Sequence, residues 1–213
     1  LETEGLDNPF HSLQPTHRYE NLVEVKEAVG EVARRISRAG LPREITPCVF
    51  GFLGYGHVSQ GAQEVFDILP FKTVAPGDLP RLIEEERDTS RTIFKVVFKE
   101  EDMVEPLDTT KSFDLQDYYD NPQNYRPVVE KSIPFLTALI NGIYWGPKYP
   151  RFVTKAFLER HYRESSPRLR AIGDISCDIN GSIECTVRST DSENPVYVYD
   201  PAKDETMDGC SGA

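Results

Sequence analysis

Cys48-Val49-Phe50-Gly51-Phe52-Leu53 carries no charge, and it runs directly into Gly54-Tyr55-Gly56-His57-Val58-Ser59. A short apolar run without alternation has the character of a strand buried on both faces, as in a parallel sheet covered by helices. The period then changes. Val58, Ala62, Val65, Phe66 and Leu69 recur at helical spacing and define one apolar side. A buried strand, a glycine turn and an amphipathic helix in succession restrict the chain to an α/β architecture.

The turn fits the pattern GxGxxG with Ser59 in the third glycine's place. Gly54 permits the tight turn, and Gly56 lets the backbone approach phosphate oxygens. The first N–H groups of the new helix then point at the anion. Gly54, Tyr55, Gly56, His57, Val58 and Ser59 are therefore the expected pyrophosphate site. The plain alternative is a glycine-rich turn with no ligand. A Walker A loop is excluded, because His57 stands where the phosphate-binding Lys must be.

In a dinucleotide-binding domain an Asp or Glu about twenty residues further on, at the end of the second strand, takes the ribose 2′-hydroxyl. Val74-Ala75-Pro76 occupies that place here. With no acid to repel a 2′-phosphate, the expectation tilts to NADP(H), with NAD(H) still possible. Lys72 or Arg81 would supply the positive charge, unless Asp78 does the acid's work from slightly further along.

The rest of the chain extends the alternation. Residues 21–38 predict a helix, with Val25, Val29, Val32 and Ile36 on one face, Asn21 and Glu24 at its start and Gly40 at its stop. Further strands are expected at Phe71–Val74, Thr92–Phe98, Ala138–Asn141, Arg170–Gly173 and Val196–Tyr199. Asp78 is expected to cap a helix, 128–135 is helix-like, and a helix is expected over Phe152–Tyr162. Residues 99–126 read as a polar surface excursion with one short helix. The expected fold is a Rossmann-like, doubly wound parallel sheet in residues 47–213. Residues 1–46 form a connector region that holds the 21–38 helix.

The bulk properties narrow the function. Lys and Arg total 24 against 35 Asp and Glu, a net charge of −11. Nucleic acid and anionic lipid are poor partners for such a chain. No apolar run approaches the ~18 residues that span a bilayer, and LETEGLDNPF is no signal peptide. Cys48, Cys177, Cys185 and Cys210 are widely spaced and form no CxxC. That suits a reduced intracellular setting, cytoplasm or mitochondrial matrix, and leaves the Asn180-Gly181-Ser182 sequon without meaning. The missing initiator Met and the ending Gly209-Cys210-Ser211-Gly212-Ala213 read as a fragment of a longer protein.

Asp174-Ile175-Ser176-Cys177-Asp178-Ile179-Asn180-Gly181-Ser182-Ile183-Glu184 invites a metal reading, with oxygen-bearing side chains at alternate positions. A calcium loop wants Gly at position 6 and Glu at position 12; counted from Asp174, these are Ile179 and Cys185. Zinc fares no better, since Cys177 and Cys185 lack suitably spaced partners. No metal is expected. At the carboxyl end of a parallel strand the stretch makes better sense as a cleft edge, because ligands of open α/β sheets sit there. Asn141-Gly142-Ile143-Tyr144-Trp145 leaves a neighbouring strand end and joins it. Asp174 reads as a cap or turn former; for Asp178 and Asn141 a structural and a functional role stand open.

GFLGYGHVSQGAQEVFDILP, LINGIYW and DISCDINGSIE, in this order and spacing, resemble the lysine-ketoglutarate reductase part of the α-aminoadipic semialdehyde synthases. These are the lysine-forming saccharopine dehydrogenases, in the alanine dehydrogenase-like superfamily. The resemblance runs from about Asn8 to the C-terminus. It implies an oxidoreductase acting on a CH–NH group: lysine condenses with 2-oxoglutarate, and NADPH reduces the product to saccharopine. It also implies two Rossmann-like domains around a cleft. This chain would be the cofactor domain, and an N-terminal catalytic domain with the catalytic Lys and His lies outside it. A saccharopine-oxidising domain is possible beyond. By position the resemblance puts Asp178 beside nicotinamide and substrate as the catalytic residue. It puts Gly54 to Ser59 at the pyrophosphate and Asn141, Gly142, Ile143 and Tyr144 at the nicotinamide ribose. The chain departs from alanine dehydrogenases at Asn180-Gly181, where those enzymes have a glycine pair. A non-catalytic nucleotide-binding or regulatory module on the same scaffold is the alternative.

Overall fold

A computed structural model describes residues 8–85, 88–164 and 167–209. Cys210 lies outside the described residues. The first helix, α1 (Leu22–Ala39), starts where its cap dictates: the Asn21 side chain accepts from the N–H groups of Val23 and Glu24. Gly40, at φ 84°, ends it. Then follow β1 (Cys48–Leu53), α2 (His57–Phe66), β2 (Phe71–Thr73), α3 (Leu79–Glu84) and β3 (Ile93–Phe98). Next come α4 (Glu100–Met103), β4 (Val104–Pro106), α5 (Leu115–Asp120), β5 (Tyr125–Pro127) and β6 (Ala138–Asn141). The described chain closes with α6 (Lys155–Glu164), β7 (Ala171–Asp174), β8 (Tyr197–Asp200) and β9 (Glu205–Asp208).

Five of the strands form one parallel sheet in the order β2-β3-β1-β6-β7. This is the α/β, Rossmann-like arrangement expected from the alternating elements. β1 is the central strand, and its side chains alternate between two apolar layers. Cys48 and Phe52 join Val29, Val32 and Ile36 of α1, Phe66 of α2 and Ile93 on one face. Val49 and Leu53 join Leu79 and Leu82 of α3, Phe157 and Leu158 of α6, and Leu136 on the other. Both faces are thus covered, which is why the strand reads as a continuous apolar run. Gly51 faces the second layer because nothing larger fits: a Cβ there would lie 2.7 Å from Leu136 Cδ1.

Several local expectations shift on folding. Val58 stands 50% exposed, while Ser59 is 1% exposed and buried with Phe66. The first turn of α2 presents Ser59 to the backbone of Gly142, and that rotation turns Val58 outward. Asp78 precedes α3 without a capping hydrogen bond and pairs with Arg81 at 3.1 Å instead. The 99–126 excursion is more structured than its polarity suggests. β4 and β5 pair antiparallel, and Met103, Val104, Tyr118 and Tyr125 are buried. The helix-like 128–135 segment is two 3-10 turns, Val129–Lys131 and Ile133–Phe135, with Pro134 the second residue of the latter. The strand expected at Val196–Tyr199 does not join the sheet; it pairs with β9 as a separate antiparallel hairpin.

Candidate functional site

The register of the sheet places Phe98, Leu53, Asn141 and Asp174, the last residues of β3, β1, β6 and β7, side by side in one row. Everything that follows these strands therefore leaves along a single edge. β1 sends its connection towards β2, whereas β6 sends its own to β7 on the opposite side. The crevice between β1 and β6 is the switch point at which α/β sheets bind ligands.

The glycine turn and the loop after β6 meet there. Gly54, at φ 84°, touches Ile143: a Cβ on it would sit 2.5 Å from Ile143 Cγ2. A Cβ on Gly142 would sit 3.1 Å from the Ser59 backbone nitrogen. Only glycine at both places allows the two loops to approach this closely. The Ser59 hydroxyl donates to the Gly54 carbonyl at 2.7 Å and accepts from Gln63 at 3.0 Å. Gln60 donates to the Tyr55 carbonyl at 2.9 Å. The loop is thus pre-set by its own side chains. The helical ladder of α2 opens with Gln60 N–H to Gly56 C=O at 2.9 Å. The N–H groups of the residues in between have no acceptor within the helix.

A cleft of about 320 Å³ opens at this point. Gly54, Tyr55 and Gly56 line one side, and Gly142, Ile143 and Tyr144 line the other. Tyr144 stands 89% exposed at its mouth. The remaining wall is aromatic, with Tyr118 and Tyr119 of α5 together with Trp145 and Tyr149. Glu100, at the start of α4, also lines it. Tyr119 donates to Glu100 Oε1 at 2.7 Å. The Glu100 carboxylate holds the Tyr55 hydroxyl above its ordinary pKa, and burial with the same carboxylate raises Tyr119.

His57, Val58, Ser59, Asn141 and Asp178 are not among the residues that line the cleft. His57 and Val58 are exposed on the first turn of α2, beside it. Asn141 is fully buried. Its amide donates to Asp174 Oδ1 at 2.7 Å and to Ser182 Oγ at 3.0 Å. Asp174 also accepts from Thr186 Oγ1 at 2.5 Å and from the Cys177 N–H at 3.3 Å. With both oxygens engaged, Asp174 is a tether that joins the ends of β6 and β7 to the returning 182–186 segment. Glu184 accepts from the Lys155 N–H at 2.8 Å at the start of α6 and pairs with Arg151 at 3.2 Å. The Asp174 and Glu184 oxygens of the apparent metal loop are thus spent on tethering and capping. Asp178 is half-buried and opens a turn closed by Gly181 N–H to its carbonyl at 2.8 Å. Asn180 takes the positive φ of 52° that this turn needs.

Sequence reasoning missed Glu100 and the tyrosines of α5. The aromatic density of Tyr118, Tyr119 and Tyr125 in an otherwise polar stretch was the available signal. Their meeting with the glycine turn depends on strand order, which no local pattern carries. The same order removes the ground for reading the nucleotide from Val74-Ala75-Pro76: β2 is the edge strand, and β3 lies between it and β1.

No protein-family model matches the chain. Among curated proteins it is 37% identical over 218 residues to alpha-aminoadipic semialdehyde synthase of Arabidopsis thaliana, which covers 98% of this chain and 20% of the relative. It is 32% identical over 223 residues to the mitochondrial alpha-aminoadipic semialdehyde synthase of Mus musculus, and 31% identical to that of Bos taurus, with 98% of this chain and 24% of each relative covered. The chain thus spans about a fifth to a quarter of the length of these relatives. At this identity along nearly its whole length, the chain is a homologue of one segment of the alpha-aminoadipic semialdehyde synthases.

Proposed function

We propose that this chain is the cofactor-binding part of a reductase that condenses lysine with 2-oxoglutarate to saccharopine, in lysine degradation. The observation that supports it best is the close approach of Gly54 to Ile143 and of Gly142 to Ser59 at the β1–β6 switch point, beneath the open first turn of α2. Backbone N–H groups at such a helix start suit a pyrophosphate. The cleft beside them has aromatic walls on which flat rings can stack. The group that fits is a nicotinamide dinucleotide. NADP(H) is the one the resemblance implies, and NAD(H) the alternative. When bound, it supplies the hydride.

The chain's own residues bind and orient. Gly54 to Ser59 take the pyrophosphate, with Ser59 holding the loop in shape from beneath. Gly142, Ile143 and Tyr144 wall the nicotinamide ribose, and buried Asn141 fixes where that wall starts. Asp178 lies four residues beyond the end of β7, on the edge where substrate approaches, and we assign it to the substrate side. Residues 47–213 are the dinucleotide-binding unit and residues 1–46 its connector. The proton-transferring groups belong to a preceding domain of the longer protein, and a saccharopine-oxidising domain is a further candidate on the same polypeptide. Among the described residues no helix is long and apolar enough to cross a membrane. The Mus musculus and Bos taurus relatives carry "mitochondrial" in their names. We assign this protein to the mitochondrial matrix or the cytoplasm.

The test uses the full-length protein. Lysine and 2-oxoglutarate together should drive oxidation of the reduced nucleotide, and neither alone should. Asp178→Ala should lower turnover and leave nucleotide affinity within about twofold. Loss of nucleotide binding in that variant would refute the assigned role. Nucleotide binding without turnover in the native protein would favour the regulatory-module reading.

A further inference from the structure

We propose that Arg151 holds a carboxylate of the substrate pair at the carboxyl edge of the sheet. The inference rests on the proposed chemistry of lysine with 2-oxoglutarate, and deepens it by naming a residue that sets substrate affinity. Both reactants carry carboxylates. The chain they approach has a net charge of −11, and the one charged residue lining the cleft among the described residues is an acid, Glu100. Such substrates need a local cation where they dock. Arg151 stands at that place. The loop after β6 folds back on itself: Tyr149 N–H donates to the Gly146 carbonyl at 2.9 Å, and the Trp145 indole N–H to the Pro150 carbonyl at 3.0 Å. The N–H groups of Phe152 and Val153 then donate to the Ser182 carbonyl at 2.8 and 3.0 Å, just beyond the turn that Asp178 opens. Arg151 is thereby set between the cleft wall and that turn. Its guanidinium carbon lies 5.7 Å from the centre of the Trp145 ring, which lines the cleft, and its Nε donates to the Asn180 carbonyl at 3.2 Å.

The anchoring leaves the working end of the side chain open. Glu184 Oε1 lies 3.2 Å from the same Nε, while Glu184 Oε2 accepts from the Lys155 N–H at 2.8 Å. Glu184 and Asn180 thus fix the guanidinium from its Nε side. Among the described residues no hydrogen bond engages its two terminal nitrogens. Those nitrogens form a planar fork that matches a carboxylate with two parallel N–H···O bonds. The side chain is 45% exposed, so a substrate can reach it. The neighbouring cations are engaged: Lys148 with the Tyr119 carbonyl at 2.9 Å, Lys155 with Asp204 at 2.6 Å, and Arg188 with Asp208. Glu184 offsets part of the Arg151 charge, so the directed fork carries the recognition more than the bare charge does, and lysine in its place would restore only part of it.

The experiment is steady-state kinetics of the full-length protein with saturating reduced nucleotide, for the native chain, Arg151→Gln, Arg151→Lys and Arg163→Gln. Arg151→Gln should raise KM for one of the two substrates by about 10- to 100-fold, the range of one lost charged hydrogen bond. Its kcat should stay within threefold and its nucleotide affinity within twofold. Arg151→Lys should recover part of the loss, and Arg163→Gln, exposed on α6, should change nothing. Two analogues tell which carboxylate is held: lysinamide lacks that of lysine, and 2-oxopentanoate lacks the distal one of 2-oxoglutarate. Native protein should discriminate against the analogue of the substrate that Arg151 holds, and Arg151→Gln should lose that discrimination. A merely structural role would not move this ratio. Both KM values within twofold of native, or equal rises in both with a lower melting point and no rescue by Arg151→Lys, overturn the proposal and leave the proposed function standing. If the native protein does not turn over lysine with 2-oxoglutarate, the proposed function falls, and this proposal with it.

Discussion

Removal of the Asp174 carboxylate should unfasten the edge that carries the candidate site. In Asp174→Ala, three donors lose an acceptor: the Asn141 amide, the Thr186 hydroxyl and the Cys177 N–H. Cys177 is exposed and water replaces its partner. Asn141 is 0% exposed and Thr186 is 6% exposed, so water does not reach them. Asn141 keeps Ser182 as an acceptor at 3.0 Å. An unsatisfied buried donor costs about 1–3 kcal/mol, so the pair costs roughly 2–5 kcal/mol. That is a large share of the about 5–15 kcal/mol that holds a domain together. For a chain of this size the midpoint of thermal unfolding should drop by roughly 5–15 °C. Asp174→Asn keeps the shape and one carbonyl oxygen for Asn141, and its amide can donate to the Thr186 oxygen. It should cost only about 1 kcal/mol. The assay is thermal and urea unfolding followed by circular dichroism, with exposed Glu27→Ala as the reference. A double-mutant cycle with Thr186→Val isolates the Asp174–Thr186 contact and should give a coupling of about 1 kcal/mol or more. If Asp174→Ala melts no lower than Glu27→Ala, the tether is not structural and its reading as one is refuted.

Gly54→Ala should weaken nucleotide binding by tenfold or more and cost about 1–3 kcal/mol of stability, because φ is 84° there and the new Cβ would meet Ile143 Cγ2 at 2.5 Å; an equilibrium titration on the folded fraction checks it, and unchanged affinity would remove the turn from the site. Burial pushes the Cys48 and Cys185 thiols up to about 12. At pH 8 a thiol-directed reagent should label exposed Cys177 before either of these, which stay unlabelled until the chain unfolds, as mass spectrometry of the labelled peptides would show. Burial, with the charge of Arg160 in support, lowers the His161 pKa below 6.5. The unfolded chain then binds the extra proton more readily. The contribution is complete above 6.5 and is lost as pH falls through the folded value, so replacement by Gln should flatten this part of the stability profile.

Elements whose signals lie close together in sequence were legible. β1 was readable because both its faces are covered, α1 because Asn21 and Gly40 bound it, and the meeting of the glycine turn with Gly142 because both leave strand ends. Asp174 could be read as structural because its neighbours offer no metal geometry. The 128–135 segment was misjudged because apolar spacing does not report Pro134, which has no N–H to continue a helical ladder and sits inside the second turn, Ile133–Phe135. Residues 99–126 were misjudged because polar composition hides the few buried aromatics that fold them against the sheet.

The amino-acid sequence by itself determined that this chain builds a parallel α/β sheet with a glycine turn after its central strand. Backbone sterics and apolar periodicity act within a few residues. Only the tertiary structure decided that β3, not β2, lies beside β1. Strand neighbours are chosen by the packing of two apolar layers over the entire sheet, and that choice brings Glu100 and the α5 tyrosines to the glycine turn.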